Sequence, residues 1–294
     1  CPLYPMELYP YIPALVTILI ALIIMLRLTH YARFYAPSYF FWIGSILAVV
    51  GMLSLIHPLA SLLIFNRTIA VYVTLGGLSI SIISLLSPVK RKRSPTSDRK
   101  IDALMPGYSF NEYHEVRIQA SPEKVIKTLQ TTGVRDIPAA HLLMKIRGIA
   151  DEDVDMSDRA SKSKAGAAGT FSTPDFNFFV VDPGEYITVM VIKAAMITNK
   201  PEKPAPPEIT TLEQFKLFNE PGYVKVAVNF RFVGIDNGQT LLSTETRVQG
   251  IRHADSRIFG RYWRIIYPGS AIIRRVWLNT IKKRAEGTGG YTAS

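Results

Sequence analysis

The chain has 294 residues, with 34 Lys+Arg against 23 Asp+Glu and a formal net charge of +11. Hydrophobic residues make up 48% and charged residues 19%, and that apolar excess excludes wholesale disorder. A single cysteine excludes an intramolecular disulfide framework and a Cys-rich zinc site.

Composition divides the chain. Residues 1–87 hold one acid, Glu7, and three basic residues, Arg27, Arg33 and Arg67. Residues 88–100 hold six basic residues and one acid, whereas 101–294 hold 25 and 21. The division predicts a membrane part over 1–87, a basic juxtamembrane linker over 88–107, a folded domain over 108–286 and a flexible tail over 287–294.

Three charge-free apolar runs, Tyr11–Leu26, Tyr39–His57 and Thr68–Leu86, predict three transmembrane helices over about 11–28, 39–57 and 68–87. Gly76, Gly77, Ser79, Ser81 and Ser84 give the third a small-residue face suited to close helix contact. No acid or base falls inside the runs, so the reading is an anchor of packed helices and not a channel. Arg27 and Arg33 follow the first run, and Lys90, Arg91, Lys92 and Arg93 follow the third. Basic flanks stay on the cytoplasmic side, which places the N-terminus outside and the C-terminal domain in the cytoplasm. The four-residue basic cluster also suits attraction to anionic lipid. Lipidation of Cys1 is not expected, because no lipobox precedes it.

The predicted elements then change character. Ser109–Ala120 alternates as a strand, and Ser121-Pro122-Glu123-Lys124 opens a helix over about 122–131, with Ser121 as its cap. Ile137, His141, Leu142, Met144 and Ile146 follow at helical spacing, before a polar loop over 150–168. A hairpin turns at Asp182–Glu185, and a short helix is expected around Leu212–Phe218 after a Pro-rich excursion. A second hairpin of long strands turns at Asp236-Asn237-Gly238. One long helix, interrupted by Pro268-Gly269, closes the domain over 254–286, with a predicted stripe of Ile258, Tyr262, Ile266, Ile273, Val276 and Trp277.

This order predicts an α+β domain with the last helix packed across a curved antiparallel sheet. SPEKVIKTL after an initial strand resembles the opening of the START-like (SRPBCC) helix-grip superfamily, which includes polyketide cyclase-like and lipid-transfer proteins. Glu220–Phe232, Leu242–Val248 and Phe259–Glu286 are similar to a group of bacterial START-like proteins. The resemblance implies an apolar cavity between sheet and C-terminal helix that holds a lipid or another hydrophobic small molecule.

Strand alternation supplies the candidate lining. Val226, Val228, Phe230 and Phe232 share one face, with Tyr262, Ile266 and Trp277 opposite on the helix. Asn229, Arg231, Glu245 and Arg247 fall on the other face and read as a cross-strand ion-pair ladder on the outside of the sheet. Possible polar cavity residues are His114, His141 and Glu245, each a candidate acid or base in a cyclase-like site. No catalytic set, metal site or cofactor is predicted. The last helix carries the basic clusters Arg261/Arg264, Arg274/Arg275 and Lys282–Arg284, read chiefly as a solvated face.

The expectation is therefore a bacterial inner-membrane protein whose cytoplasmic START-like domain binds a hydrophobic small molecule or membrane lipid, without nucleic acid. A cyclase- or hydrolase-like enzyme and a non-ligand-binding assembly module are the alternatives.

Overall fold

The computed structural model describes residues 19, 35–56, 67–94, 98–132, 170–172, 177–195, 207 and 209–287. The predicted first span apart from Leu19, the helix carrying His141, the loop over 150–168 and residues 288–294 lie outside them. The chain divides into two compact units, Cys1–Pro88 with Trp263–Pro268, and Val89–Tyr262 with Gly269–Ser294.

In the first unit, α1 (Ala36–Leu55) and α2 (Arg67–Leu86) are each 20 residues, long and apolar enough to cross a membrane. Their packing reverses that of soluble helices. Gly44, Ala48, Gly51 and Ser54 of α1 are buried, as are Ala70, Gly77, Ser81 and Ser84 of α2. Phe40, Met52, Leu75, Ile83 and Tyr72, the last 71% accessible, face outward. Small residues bring the backbones so close that a Cβ on Gly77 would lie 2.4 Å from Ala48 N. Ser81 Oγ donates to Phe41 O at 3.1 Å, and Ser84 Oγ to Pro37 O. Of the predicted small-residue face, Gly77, Ser81 and Ser84 are used, while Gly76 meets nothing within 4 Å and Ser79 is exposed. Gly76 stands one residue, about 100°, out of phase.

The same unit holds Arg264, which is buried and donates from Nη1 to Leu85 O at 2.9 Å and from Nη2 to Ser87 O at 2.6 Å. These contacts supply donors at the C-terminal end of α2, where intrahelical partners have run out. Ser38 Oγ donates to Arg264 O at 2.6 Å, and Trp42 Nε1 to Ile265 O at 3.1 Å.

The second unit is α+β. Its short elements are β1 (Lys92–Arg93), α3 (Lys100–Leu104), β2 (Gly107–Tyr108), α4 (Pro122–Gln130) and α5 (Leu212–Leu217). Within the basic segment after the two apolar helices, β1 pairs antiparallel with β2. The long strands are β3 (Phe110–Ile118), β6 (Glu185–Lys193), β7 (Tyr223–Ile235) and β8 (Gln239–Gly250), joined by β4 (Thr170–Ser172) and β5 (Asn177–Asp182). They form one antiparallel sheet in the order β3-β8-β7-β6-β5-β4. The hairpin between β7 and β8 turns on Asn237 at φ 65° and Gly238 at φ 67°, the left-handed backbone that Asn-Gly tolerates best. Ser121 caps α4, and Thr211 with Gln214 forms a capping box on α5.

The last helix, α6 (His253–Ala285), runs helical through Pro268. Asp255 Oδ2 accepts from Arg252 N at 2.8 Å and so caps the helix start. Its buried stripe is displaced by one residue in the first half. Phe259, Trp263 and Tyr267 are buried, whereas the predicted Ile258 is 41% accessible, and Tyr262 and Ile266 are only half-buried. Aromatic bulk won over aliphatic spacing, because both stripes satisfy the same period. Ile273 and Trp277 are buried as predicted. The predicted solvated face is also corrected, since Arg264 and Arg274 turn inward while Arg257 and Arg261 are exposed.

Both faces of the sheet are covered. On one, Ile118, Tyr186, Phe230, Phe232 and Leu242 pack with Trp277, Leu278 and Ile281 of α6 and with Val125 and Leu129 of α4. On the other, Ile187, Val189, Val191 and Ala227 pack with Ile101 of α3, Met105 and Phe215 of α5. Trp277 stands edge-on to Phe230 at 5.1 Å and donates from Nε1 to Thr132 O at 3.1 Å. Trp277→Ala is expected to cost about 3–5 kcal/mol, read as a lowered thermal midpoint by near-UV circular dichroism. An unchanged midpoint would contradict this packing.

Candidate functional site

The face of the sheet toward α6 is apolar at both ends and polar in its middle. Register builds the polar row: Glu112 pairs with Thr246, which pairs with Val228, which pairs with Thr188. The next row is His114, Thr244, Phe230 and Tyr186. Glu112 and His114 are two apart on β3, so they share this face.

Glu112 is 1% accessible and anchors the cluster. Its Oε1 contacts His114 Nε2 at 2.8 Å, and its Oε2 accepts from Ser270 Oγ at 2.9 Å. Arg274 Nε stands 3.8 Å from Oε2, and Arg274 Nη1 reaches Thr244 Oγ1 at 3.4 Å. Thr244 Oγ1 itself donates to Asn229 O at 2.8 Å. Ser270 and Arg274 are four apart on α6, which puts both over the same row. Thr246, 4% accessible, has an Oγ1 with no hydrogen-bond partner among the described residues.

The Ser270 hydroxyl donates to the carboxylate, and the imidazole contacts that same carboxylate. This order differs from a Ser–His pair, in which the imidazole itself accepts the hydroxyl hydrogen.

The predicted residues are distributed as follows. Val226, Val228, Phe230 and Phe232 are buried on this face, with Trp277 against Phe230. Tyr262 stacks edge-on with Phe259 at 5.6 Å, and Ile266 belongs to the first unit. His114 joins the polar row, while His141 lies outside the described residues. Glu245 is on the opposite face from Phe230, since it pairs with Asn229 and not with the apolar set. Lys90, Arg91, Lys92 and Arg93 are all exposed. Glu112, Thr246 and Ser270 were not singled out from sequence, and Arg274 was read only as part of a solvated basic face. Their signal was present in two spacings, Glu112-x-His114 on a strand and Ser270-x-x-x-Arg274 on a helix.

The opposite face corrects the expected solvated ladder. Phase was right and exposure was not: Arg247 is 0% accessible and Glu245 is buried. Arg247 donates from Nε to Glu245 Oε1 at 2.9 Å, from Nη1 to Met105 O at 3.0 Å, and from Nη2 to Asp102 Oδ1 at 2.5 Å. Its guanidinium lies 4.8 Å from the Tyr108 ring centroid. Arg99 Nη1 donates to Glu245 Oε2 at 2.7 Å and Nε to Asp102 Oδ2 at 3.1 Å. Burial alone would lower the Arg99 pKa, but Glu245 and Asp102 outweigh it and hold it above the ordinary value. Glu185 accepts from Lys100 N at 2.9 Å and Ile101 N at 3.2 Å, so a carboxylate closes the N-terminus of α3. This network fastens residues 99–105 onto the sheet and leaves few polar atoms for a ligand.

Among the described residues, no group of three or more His, Cys, Asp or Glu side chains is arranged to hold a metal ion. No protein-family model matches the chain, and neither a curated protein nor a solved structure matches it.

Proposed function

We propose that this chain is a bacterial inner-membrane START-like protein whose domain binds a hydrophobic small molecule or lipid. The domain has the helix-grip arrangement, and the ligand lies between the sheet and the 269–285 part of α6. Lysine and arginine placement supports an N-terminus outside, three spans and a cytoplasmic domain, with Lys90–Arg93 against anionic headgroups. The inside-out packing of α1 and α2 supports the membrane anchor.

The observation that carries the reading is the polar row set within an apolar sheet–helix layer. Ligand sites for apolar molecules combine such a lining with a few placed polar groups. A layer needed only for stability gains nothing from a buried, unpaired hydroxyl. The test is organic extraction and mass spectrometry of the full-length protein purified from bacterial membranes. A defined lipid or apolar metabolite at near-stoichiometric level is expected, enriched over bulk membrane. Extracts matching bulk membrane composition would sink the reading. The assembly-module alternative would then take its place, and it is favoured by the Phe178–Phe230 and Tyr186–Phe232 ring contacts at 5.6 and 5.4 Å, which fill one end of the layer.

A further inference from the structure

We propose that the Glu112–His114–Ser270–Arg274 cluster, completed by Thr246, receives a neutral oxygen function, hydroxyl or carbonyl, of an otherwise apolar molecule. The inference rests on the ligand-binding reading above and names the chemistry that reading leaves open.

The polar atoms of the row divide into used and unused. Glu112 engages His114 through one oxygen and Ser270 through the other. Thr244 donates its only hydroxyl hydrogen to a backbone carbonyl. Thr246 alone among these has an unsatisfied buried hydroxyl, and the register sets it directly between Glu112 and Val228. A buried hydroxyl without a partner is costly to keep, so a ligand that supplies one gains affinity at that atom. A hydroxyl or carbonyl oxygen on the ligand can take the Thr246 hydrogen.

Charge selects against an ionised head group. Glu112 and Arg274 balance each other across 3.8 Å. A carboxylate or phosphate entering this row would bring an additional charge into a layer flanked by Phe230, Val228 and Trp277, with its desolvation uncompensated. A neutral oxygen carries no such cost.

The test uses the full-length protein in detergent. It is incubated with an equimolar mixture of hexadecanol, a long-chain methyl ketone, hexadecane and palmitate, then read by native mass spectrometry. The alcohol and ketone are expected to exceed hexadecane by about tenfold, the discrimination of one buried hydrogen bond. In Thr246→Val that preference is expected to vanish while the thermal midpoint holds or rises, because the hydroxyl removed had no partner in the fold. A hydroxyl with a purely structural role would instead lower the midpoint. Equal adducts of alcohol and hexadecane in the wild type would overturn the inference and leave hydrophobic binding standing. Preference for palmitate would overturn the neutral-oxygen assignment. Absence of every adduct would remove the ligand-binding reading and this inference with it.

Discussion

Arg247→Met is expected to destabilise the folded domain by about 3–5 kcal/mol. The side chain is wholly buried and holds Glu245, Asp102 and the carbonyl of Met105 at once. Its loss leaves Asp102 and Glu245 with Arg99 as their remaining cation in this network. Thermal and denaturant unfolding of the purified protein measure the cost. Hydrogen exchange at residues 99–105 should accelerate in the same variant, since those residues are fastened largely through this guanidinium and its partners. Adding Asp102→Asn and Glu245→Gln should recover much of the loss, because a buried charge costs most when it stands alone. A single variant with the parent midpoint would mean that residues 99–105 do not depend on this network.

Gly77→Leu is expected to separate α1 from α2. The Cβ position lies 2.4 Å from Ala48 N and 2.6 Å from Gly44 O, both backbone atoms that no rotamer change can move. Overpacking of this kind costs about 1–3 kcal/mol in a well-packed interface, and here the helices must shift outright. Ser45 Oγ and Ser81 Oγ are 3.2 Å apart across the same contact. A Ser45→Cys/Ser81→Cys pair in a Cys1→Ser background should therefore form a disulfide in membranes under mild oxidation. Gly77→Leu should slow that crosslinking by about tenfold or more, the rate equivalent of that cost. Undiminished crosslinking would contradict the close helix contact.

Much of the fold was legible because its signals are local. Two long apolar helices were readable as charge-free runs, and they appear within a few residues of the expected ends. Both hairpins announced their turns through Asp182–Glu185 and Asp236-Asn237-Gly238, and Ser121-Pro122 announced a helix start. Alternation assigned Val226, Val228, Phe230 and Phe232 to one face of β7 and Asn229 and Arg231 to the other. The register agrees.

The candidate site was legible only in part. His114 was noticed as a lone histidine, yet its partner Glu112 stands two residues away on the same strand face. Ser270 and Arg274 lie 158 and 30 residues from the partners they bond, Glu112 and Thr244. The four-residue spacing of Ser270 and Arg274 places them on one face of α6, but does not say that this face is interior while Arg257 and Arg261 are exposed. Periodicity gives the direction of a side chain and is silent about what it meets.

The sequence by itself determined which segments are apolar helices, where strands alternate and turn, and which residues share a face, because periods of 3.6 and 2 are properties of the local backbone. Tertiary structure alone decided that the polar face of β8 is interior. Asp102 reaches Arg247 across 145 residues, from a five-residue helix too short to show a period. It also decided that Phe259, Trp263 and Tyr267 form the buried stripe of α6 in place of Ile258, Tyr262 and Ile266. Burial is a property of the pair of surfaces that meet, and a strand or helix carries only one of them.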